Sequence, residues 1–241
     1  MKKIFSLALS ACLSIAVSMF ILTSCITKKE DLGETITKKV HVAPFRDIKV
    51  LDNAAVYIIP SDTFGVVLKG KEGELKNIKV AVKGKTLVVS EERSIERRNR
   101  FTFSFDVVYE TPKIYVSMPV LNNVEISSNA YVEMTKPMTG NEVLLHIDGN
   151  ASIEMAELTA KMFTLDVNGN ASANMTKLTA EKANFIVAGN ASIETNFDRT
   201  GEVKLEVTGN ASADFSGTTL NAPEINIIGH ASVNNNTTRV K

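Results

Sequence analysis

The side chains that could carry acid–base chemistry are carboxylates set along a repeating sequence, with a histidine beside them. His146, Asp166 and Glu206 occupy equivalent positions in their repeat units, and Asp148 follows His146 by two. Two such carboxylates could cleave a glycosidic bond as an acid and a base. If the units stack as strands, Asp166 and Glu206 lie roughly 10 Å apart. That separation just exceeds the usual inverting geometry, although Asp148 and Asp166 could lie nearer to each other. We expect the chain not to be an enzyme.

Other reactive residues are scarce. The chain has two cysteines, Cys12 and Cys25, and three histidines, His41, His146 and His230. It contains no nucleophile elbow, P-loop, dinucleotide-binding fingerprint, zincin motif or paired-cysteine motif. We therefore expect no catalytic residue, no cofactor and no metal site. Too few cysteines are present for a disulfide-rich scaffold.

The composition excludes two further classes of protein. Lys and Arg number 27, Asp and Glu also number 27, and hydrophobic residues make up 44% of the chain. A zero net charge argues against nucleic acid as a partner, since such proteins carry a basic excess. The apolar content is too high for a disordered chain.

The amino terminus predicts export and lipid attachment. Residues 1–24 combine two lysines with a long apolar stretch, as a lipoprotein signal peptide does. Leu22-Thr23-Ser24-Cys25 resembles the bacterial lipobox, which makes Cys25 the predicted lipidation site and the membrane a partner through that lipid. The alternative is a transmembrane anchor, because the apolar stretch is nearly long enough to span a bilayer.

The segment after the cysteine predicts where the domain lies. Residues 25–38 are polar and lack periodicity, which favours a tether. Lys29-Glu30-Asp31 resembles the surface-export signal of Bacteroidetes lipoproteins. We therefore expect an outer-membrane lipoprotein on the cell surface, with the periplasmic face as the alternative.

A repeat with a fixed period dominates the second half of the chain. Gly-Asn-Ala-Ser begins at Gly149, Gly169, Gly189 and Gly209, and a fifth copy at the same spacing reads Gly229-His230-Ala231-Ser232. A weaker copy surrounds Asn129, and a still weaker one covers residues 48–56. Such a fixed period is typical of a solenoid.

The pattern within each unit predicts strands. Apolar residues alternate with polar ones, and the alternation continues through Gly-Asn without changing phase. A hairpin turn there would pair apolar with polar side chains, so the chain bends without reversing. Helical spacing over residues 155–165 is rejected, because the equivalent segment of a later unit contains Gly217 and Pro223. The sequence predicts an all-β, right-handed parallel β-helix with coils of about 20 residues.

Equivalent residues should then form ladders along the axis. One inward ladder comprises Ile147, Val167, Val187, Val207 and Ile227, and a second comprises Leu145, Leu165, Phe185, Leu205 and Ile225. A turn ladder comprises Asn129, Asn150, Asn170, Asn190 and Asn210, with His230 after them. The asparagines have a structural explanation, since Asn tolerates left-handed corners and stacked amides bond along the axis. The alternative is an outward polar row that contacts a ligand.

The remaining chain also predicts β-structure. Residues 39–123 form a less regular β region packed on the solenoid, which itself covers residues 124–241. Residues 91–100 mix charges without periodicity and favour a solvated loop over an anion patch of Arg93, Arg97, Arg98 and Arg100. Phe101, Phe103 and Phe105 alternate as in a strand.

A lipobox, an extended β region and Gly-Asn-Ala-Ser coils together resemble the auto-transporter adhesin, head GIN domain family of Bacteroidetes, over about residues 40–236. The resemblance implies a β-helical domain on the cell envelope and carries over no binding residue. We therefore expect a recognition or adhesion module with a glycan or protein ligand. The alternatives are a carbohydrate-active enzyme and a periplasmic structural protein. The last coil, residues 225–233, has an exposed edge that Asn234 to Asn236 or a second molecule could cover, and the oligomeric state stays open.

Overall fold

The computed structural model describes residues 32–92 and 111–241. The described chain is nearly all β. The strands are β1 (Thr35–Val40), β2 (Asp47–Val50), β3 (Ala55–Pro60), β4 (Gly65–Lys71), β5 (Ile78–Lys83), β6 (Thr86–Glu91), β7 (Lys113–Met118), β8 (Asn123–Ser128), β9 (Tyr131–Met134), β10 (Met138–Thr139), β11 (Glu142–Gly149), β12 (Ser152–Thr200), β13 (Glu202–Thr219), β14 (Glu224–Gly229) and β15 (Ser232–Arg239), with one short helix, α1 (Glu72–Leu75).

The strands after residue 123 stack as parallel coils. β11 pairs with the 162–169 segment of β12, and the 182–197 segment of β12 pairs with the 202–217 segment of β13, always one repeat unit apart. β13 continues the same register onto β14 and β15. The chain passes each Gly-Asn without reversing, and residues 155–165 lie within β12. The predicted β-solenoid is therefore confirmed, while its right-handed sense stays a prediction.

The inward side chains form one continuous core. Leu145, Ile147 and their partners in the next two coils are at most 1% exposed. A phenylalanine cluster, Phe163, Phe185, Phe197 and Phe215, adds ring contacts with centroids 5.1 to 6.0 Å apart. Burying each such side chain contributes roughly 1.5–3 kcal/mol. Period-two alternation therefore decides which side chains make the core and which face outward.

Glycine occupies the tight position of each corner. Gly149, Gly169, Gly189 and Gly209 have φ between 116° and 130°, and the equivalent residues of the two earlier coils, Ser128 and Asp52, have φ of 72° and 64°. The asparagines of the turn ladder do not have positive φ. The expectation that Asn supplies the left-handed conformation is thus wrong, because the residue before it takes the strained backbone.

The stack of coils continues into the region before residue 124, out of sequence order. β2 and β3 pair in parallel register with β8 and β9, so that Val50 lies opposite Ile126 and Val56 opposite Val132. On their other side they pair in parallel with β6 and β7. The antiparallel strands β5 and β4 then cover β6 and β7. This end of the stack therefore finishes in antiparallel strands.

The first described strand overlaps the predicted tether, residues 25–38. Residues 35–38 belong to β1, which pairs antiparallel with β4. All side chains of Thr35–Lys39 are exposed, so backbone hydrogen bonds to β4 hold this strand and no hydrophobic periodicity marks it. The predicted tether extends too far, because the sequence of residues 35–38 shows no alternation that would indicate a strand.

The last coil is much more exposed than the preceding ones. Ile227 is 41% exposed, whereas Val207 at the same position of the previous coil is 2% exposed. Ile228 is 65% exposed. The contrast shows how much of each coil's burial comes from the coil stacked on it.

Several predictions fall outside the described residues. These are the signal peptide, the lipidation site Cys25, the arginines at 93 to 100 and the strand around Phe103. Within residues 32–92 and 111–241, no helix is long and apolar enough to cross a bilayer.

Candidate binding face

The asparagines of the turn ladder form a hydrogen-bonded spine along one corner. Each Nδ2 donates to the Oδ1 of the asparagine in the preceding coil. The donor–acceptor distances are 3.2 Å from Asn210 to Asn190, 2.8 Å from Asn190 to Asn170, 2.9 Å from Asn170 to Asn150, 3.2 Å from Asn150 to Asn129 and 3.1 Å from Asn129 to Asn53. The copy at residues 48–56 thus contributes Asn53 to the spine, and His230 ends the run of amides.

The spine has a structural role and leaves polar capacity unused. Each bond contributes roughly 0.5–1.5 kcal/mol, with exposed bonds at the low end. A side-chain amide has two N–H donors and two acceptor lone pairs, and an internal member of the spine uses one of each. One donor and one acceptor per coil therefore remain for water or a ligand.

A groove runs beside the spine across five coils. Its volume is about 630 Å³. Asn129, Asn150, Asn170, Asn190 and Asn210 line one side, and Tyr131, Ser152, Ser172, Ser192 and Ser212 line the other, with small alanines between them. The alanines are at most 7% exposed, so they belong to the core and leave the groove open above them. We call this the corner groove.

A row of acidic side chains follows the serines on the same sheet. Glu133 lies opposite Glu154, and Glu194 lies opposite Asp214, each pair in neighbouring coils. The segments 129–135, 150–156, 170–176, 190–196 and 210–216 hold no Lys or Arg. Among the described residues, these carboxylates make no salt bridge. The sheet with the corner groove, which we call the groove face, is therefore acidic and uncompensated.

The neighbouring sheet differs, because it carries basic as well as acidic side chains and several of them form pairs. His146 Nδ1 lies 3.2 Å from Asp166 Oδ2, and Lys204 Nζ lies 2.7 Å from Glu206 Oε1. Lys49 and Glu125 also form an ion pair on this sheet. The contrast favours the groove face as the surface with unsatisfied binding capacity.

Three tyrosines gather where the rows of the groove face reach β9, β3 and β7. Tyr57 and Tyr115 lie opposite each other in register, and their ring centroids are 5.2 Å apart. Tyr131, in the serine row, lies 6.0 Å from Tyr57. Lys113 Nζ lies 5.7 Å from the centroid of Tyr57. All three tyrosines are half-buried, so each ring keeps a part accessible. We call these three tyrosines the tyrosine cluster.

The phenols of Tyr57 and Tyr131 are held in the protonated state. Burial raises the pKa of Tyr131 well above its ordinary value of 10.0, and the hydrogen bond that its hydroxyl donates to Glu133 over 2.9 Å raises it further. Burial also raises the pKa of Tyr57, against the opposing effect of Lys113. Both hydroxyls therefore act as neutral hydrogen-bonding groups across the physiological range.

The carboxylates predicted for acid–base chemistry lie on the other sheet and do not converge. Register places His146, Asp166, Ile186 and Glu206 in one outward row. Ile186, which is 43% exposed, separates Asp166 from Glu206, and each carboxylate contacts a basic neighbour. Asp148, the fourth candidate, is exposed and lies beside Asn168. No group of three metal-binding side chains occurs in the described part of the chain.

Sequence reasoning missed the tyrosine cluster and the acidic row. The sequence did indicate the acidic row, because Glu154, Glu194 and Asp214 occupy the same position in their repeats. It did not indicate the tyrosine cluster, because pairing between strands far apart in sequence brings Tyr57 beside Tyr115 and Ala55 beside Tyr131. The regular repeat of the second half does not indicate those pairs.

Comparison with one solved structure supports this architecture. A solved structure from Bacteroides fragilis NCTC 9343, described as a "putative adhesin", matches 84% of this chain and 97% of its own, with 19% identity and a TM-score of 0.57. A second "putative adhesin", from Parabacteroides merdae ATCC 43184, covers 87% and 97% with 19% identity and a TM-score of 0.49. No curated protein matches the chain.

The sequence profile of one family matches most of the chain. The matched residues are 44–236, which include all of the coils that carry the corner groove. The chain therefore belongs to the family described as "Putative auto-transporter adhesin, head GIN domain".

Proposed function

We propose that this chain is a lipid-anchored adhesion module of the cell envelope that recognises a glycan or protein ligand on its groove face. The observation that carries the proposal is the groove face itself. It presents unused amide and hydroxyl groups in every coil, holds no basic side chain over five coils, and leads into the tyrosine cluster. Family membership supports an adhesion-type role at the cell surface or envelope.

The anchor is the predicted lipid on Cys25. Lipid at that position would attach the domain to the outer membrane without a membrane-spanning segment. Metabolic labelling with an alkyne-bearing fatty acid is expected to mark the protein, and Cys25→Ala is expected to remove the label. Labelling that persists in Cys25→Ala would overturn the anchor.

Surface display is tested by protease treatment of intact cells. The protein is expected to be digested while a known periplasmic protein survives. If the protein survives until the outer membrane is opened, although the purified protein is cleaved under the same conditions, the adhesion proposal fails. The periplasmic structural protein then becomes the better interpretation.

Adhesion is tested with cells that display the protein. Displaying cells are expected to bind immobilised desialylated mucin or fibronectin better than cells without the protein. Tyr131→Ala is expected to reduce this binding, and Ile186→Ala, on the other sheet, is expected to leave it unchanged. Equal loss in both variants would refute the assignment of the groove face.

Absence of catalysis is part of the proposal. Asp166 and Glu206 are held by His146 and Lys204 and are separated by an exposed isoleucine. The purified protein is expected to release no reducing ends from polysaccharides. Release that disappears in Asp166→Asn or Glu206→Gln, with the fold intact, would instead support a carbohydrate-active enzyme.

A further inference from the structure

We infer that the corner groove binds an extended glycan without acidic groups, which lies parallel to the solenoid axis with one sugar per coil and one end against the tyrosine cluster. This inference rests on the proposed function and names the ligand class, its direction and its length. It also assigns Asn150, Asn170, Ser152 and Ser172 as contacts at the centre of the site and Tyr131 as the stacking residue at its end.

The spacing of the groove fits a sugar chain. Neighbouring coils are separated by about 4.8 Å, and a pyranose ring with its linking oxygen advances an extended glycan by a closely similar length. The hydrogen-bonded spine continues from Asn129 to Asn210 through five coils, and the single extra residue between Asn129 and Asn150 does not interrupt it. A glycan can therefore place one sugar at each coil, and because successive sugars of a β-1,4-linked chain are turned by about half a rotation, alternate sugars meet the groups of the groove in the same orientation.

The chemistry of the groove fits hydroxyl groups. Each internal asparagine keeps one N–H donor and one acceptor lone pair, and each serine hydroxyl can donate and accept. The serines in the groove form no side-chain hydrogen bond with the rest of the described chain. Sugar hydroxyls need both kinds of partner, so each coil offers one sugar a complementary set.

The surface does not fit a protein partner as well. Protein interfaces are centred on buried apolar and aromatic anchors. The large hydrophobic side chains exposed in the central coils, Leu144, Met162 and Ile186, lie on the neighbouring sheet. The groove offers only alanine, asparagine and serine until it reaches Tyr131. A hydroxyl-rich chain is therefore the favoured occupant.

The tyrosine cluster supplies the apolar contact that a sugar ring needs. Tyr131 continues the serine row, and its ring packs against Tyr57 with centroids 6.0 Å apart, which limits its movement. A half-buried phenol presents a flat apolar face together with a protonated hydroxyl. One end of the glycan can stack here while the remainder bonds along the groove.

The acidic row decides the charge of the ligand. Glu133, Glu154, Glu194 and Asp214 run parallel to the groove without basic partners among the described residues. Each of them stands two residues along its strand from the serine row, roughly 7 Å away, which is less than the Debye length of about 8 Å at physiological salt. An acidic glycan is therefore repelled, whereas a neutral or amino-bearing glycan is not.

The test measures binding of defined oligosaccharides by isothermal titration. The probes are β-1,4-linked oligomers of glucose, N-acetylglucosamine and mannose with two to eight sugars, a glucosamine hexamer and a galacturonate hexamer. At least one neutral or amino-bearing series is expected to bind, with affinity that rises with length and levels off near five sugars. The galacturonate hexamer is expected to bind at least tenfold more weakly.

Variants locate the site. Tyr131→Ala is expected to weaken binding of the hexamer by roughly fivefold to tenfold, the loss of one stacked ring. Ser172→Lys places a long cation in the middle of the groove, and it is expected to remove the gain in affinity between dimer and hexamer. Ile186→Ala is the matched control on the neighbouring sheet, and far-ultraviolet circular dichroism verifies that each variant folds.

Several outcomes would overturn the inference: binding of no neutral or amino-bearing oligomer, a plateau at two sugars, preference for galacturonate, or an equal loss in Ile186→Ala. Binding of fibronectin that Tyr131→Ala reduces, without binding of any oligosaccharide, would show a protein partner. Adhesion of displaying cells without oligosaccharide binding would refute the inference and leave the proposed function standing. Loss of both would refute the function as well.

Discussion

Replacing the corner glycine Gly169 with alanine tests how the coils are stacked. Gly169 has φ of +130°, where residues with a side chain are rarely found. A Cβ built on it would lie 2.5 Å from the carbonyl oxygen of Gly149, in the preceding coil. Because that oxygen belongs to the backbone, it can move only if the stacking of the two coils changes.

The expected cost has two parts. Holding alanine at this φ costs roughly 1–3 kcal/mol, and forcing an extra carbon into a packed contact typically costs about 1–3 kcal/mol. The alanine also stiffens the unfolded chain, which offsets roughly 0.4–1 kcal/mol. We therefore expect Gly169→Ala to reduce the free energy of unfolding by about 3 kcal/mol, which for a domain of this size lowers the Tm by roughly 6–12 °C.

Two other glycines separate the two parts of the cost. Gly84 has φ of +65° but nothing within 4 Å of a Cβ, so Gly84→Ala is expected to cost about 1 kcal/mol from backbone strain alone. Gly65 has neither a positive φ nor a neighbour within 4 Å, so Gly65→Ala is expected to be neutral or slightly stabilising. Urea unfolding and thermal melting of the three variants give the comparison. If Gly169→Ala reduces the free energy of unfolding no more than Gly84→Ala does, the contact with the backbone of the preceding coil adds no cost, and the argument from coil stacking is refuted.

Three further predictions concern the spine, the core and the tyrosines. Asn190→Ala removes two side-chain hydrogen bonds of the spine and is expected to cost about 1 kcal/mol in urea unfolding, whereas Asn53→Ala, which removes one, should cost about half as much. Phe185→Ala is expected to cost about 3–5 kcal/mol, while Ile186→Ala, its exposed neighbour, should change stability by less than about 0.5 kcal/mol; equal costs would contradict the assignment of inward and outward faces. Because the pKa of Tyr131 is raised in the folded protein, the free energy of unfolding should fall as pH rises above 10. Tyr131→Phe should remove the last phase of phenol ionisation in an absorbance titration near 295 nm. A Tyr131 that titrates at its ordinary pKa would refute the burial argument.

The repeat made most of the fold predictable. Period-two alternation that continues through Gly-Asn can be satisfied only by a chain that bends without reversing, and a fixed repeat length places equivalent residues in register. The inward ladders at Leu145 and Ile147 follow from those two facts, and both are buried as expected. The fold could be predicted here because the sequence pattern of each unit determines which of its residues contact the neighbouring coils.

The position of each corner was predicted correctly, but the reason that asparagine occupies it was not. Asparagine and glycine both favour turns, and the sequence alone did not separate a backbone requirement from a side-chain one. The two weaker copies carry the distinction. Asp52 and Ser128 replace the glycine there and still take positive φ, while Asn53 and Asn129 keep the amide spine continuous. The asparagine is thus fixed by hydrogen bonding along the axis, and the residue before it by the backbone.

The tyrosine cluster depends on a feature that no local pattern contains. The coil that holds β2 and β3 comes first in the chain, yet it lies between β6 and β7 on one side and β8 and β9 on the other. Strands so distant in sequence could pair in many other stacking orders that satisfy the alternation of apolar and polar residues equally well. Only the packing of whole coils selects the observed order. The regular repeat therefore supplies the polar asparagines and serines of each coil. The aromatic residues come from the irregular end, where the coils do not stack in sequence order. A binding face with repeated contacts and one distinct end can select both the length and the direction of a linear ligand, which a uniform solenoid could not do.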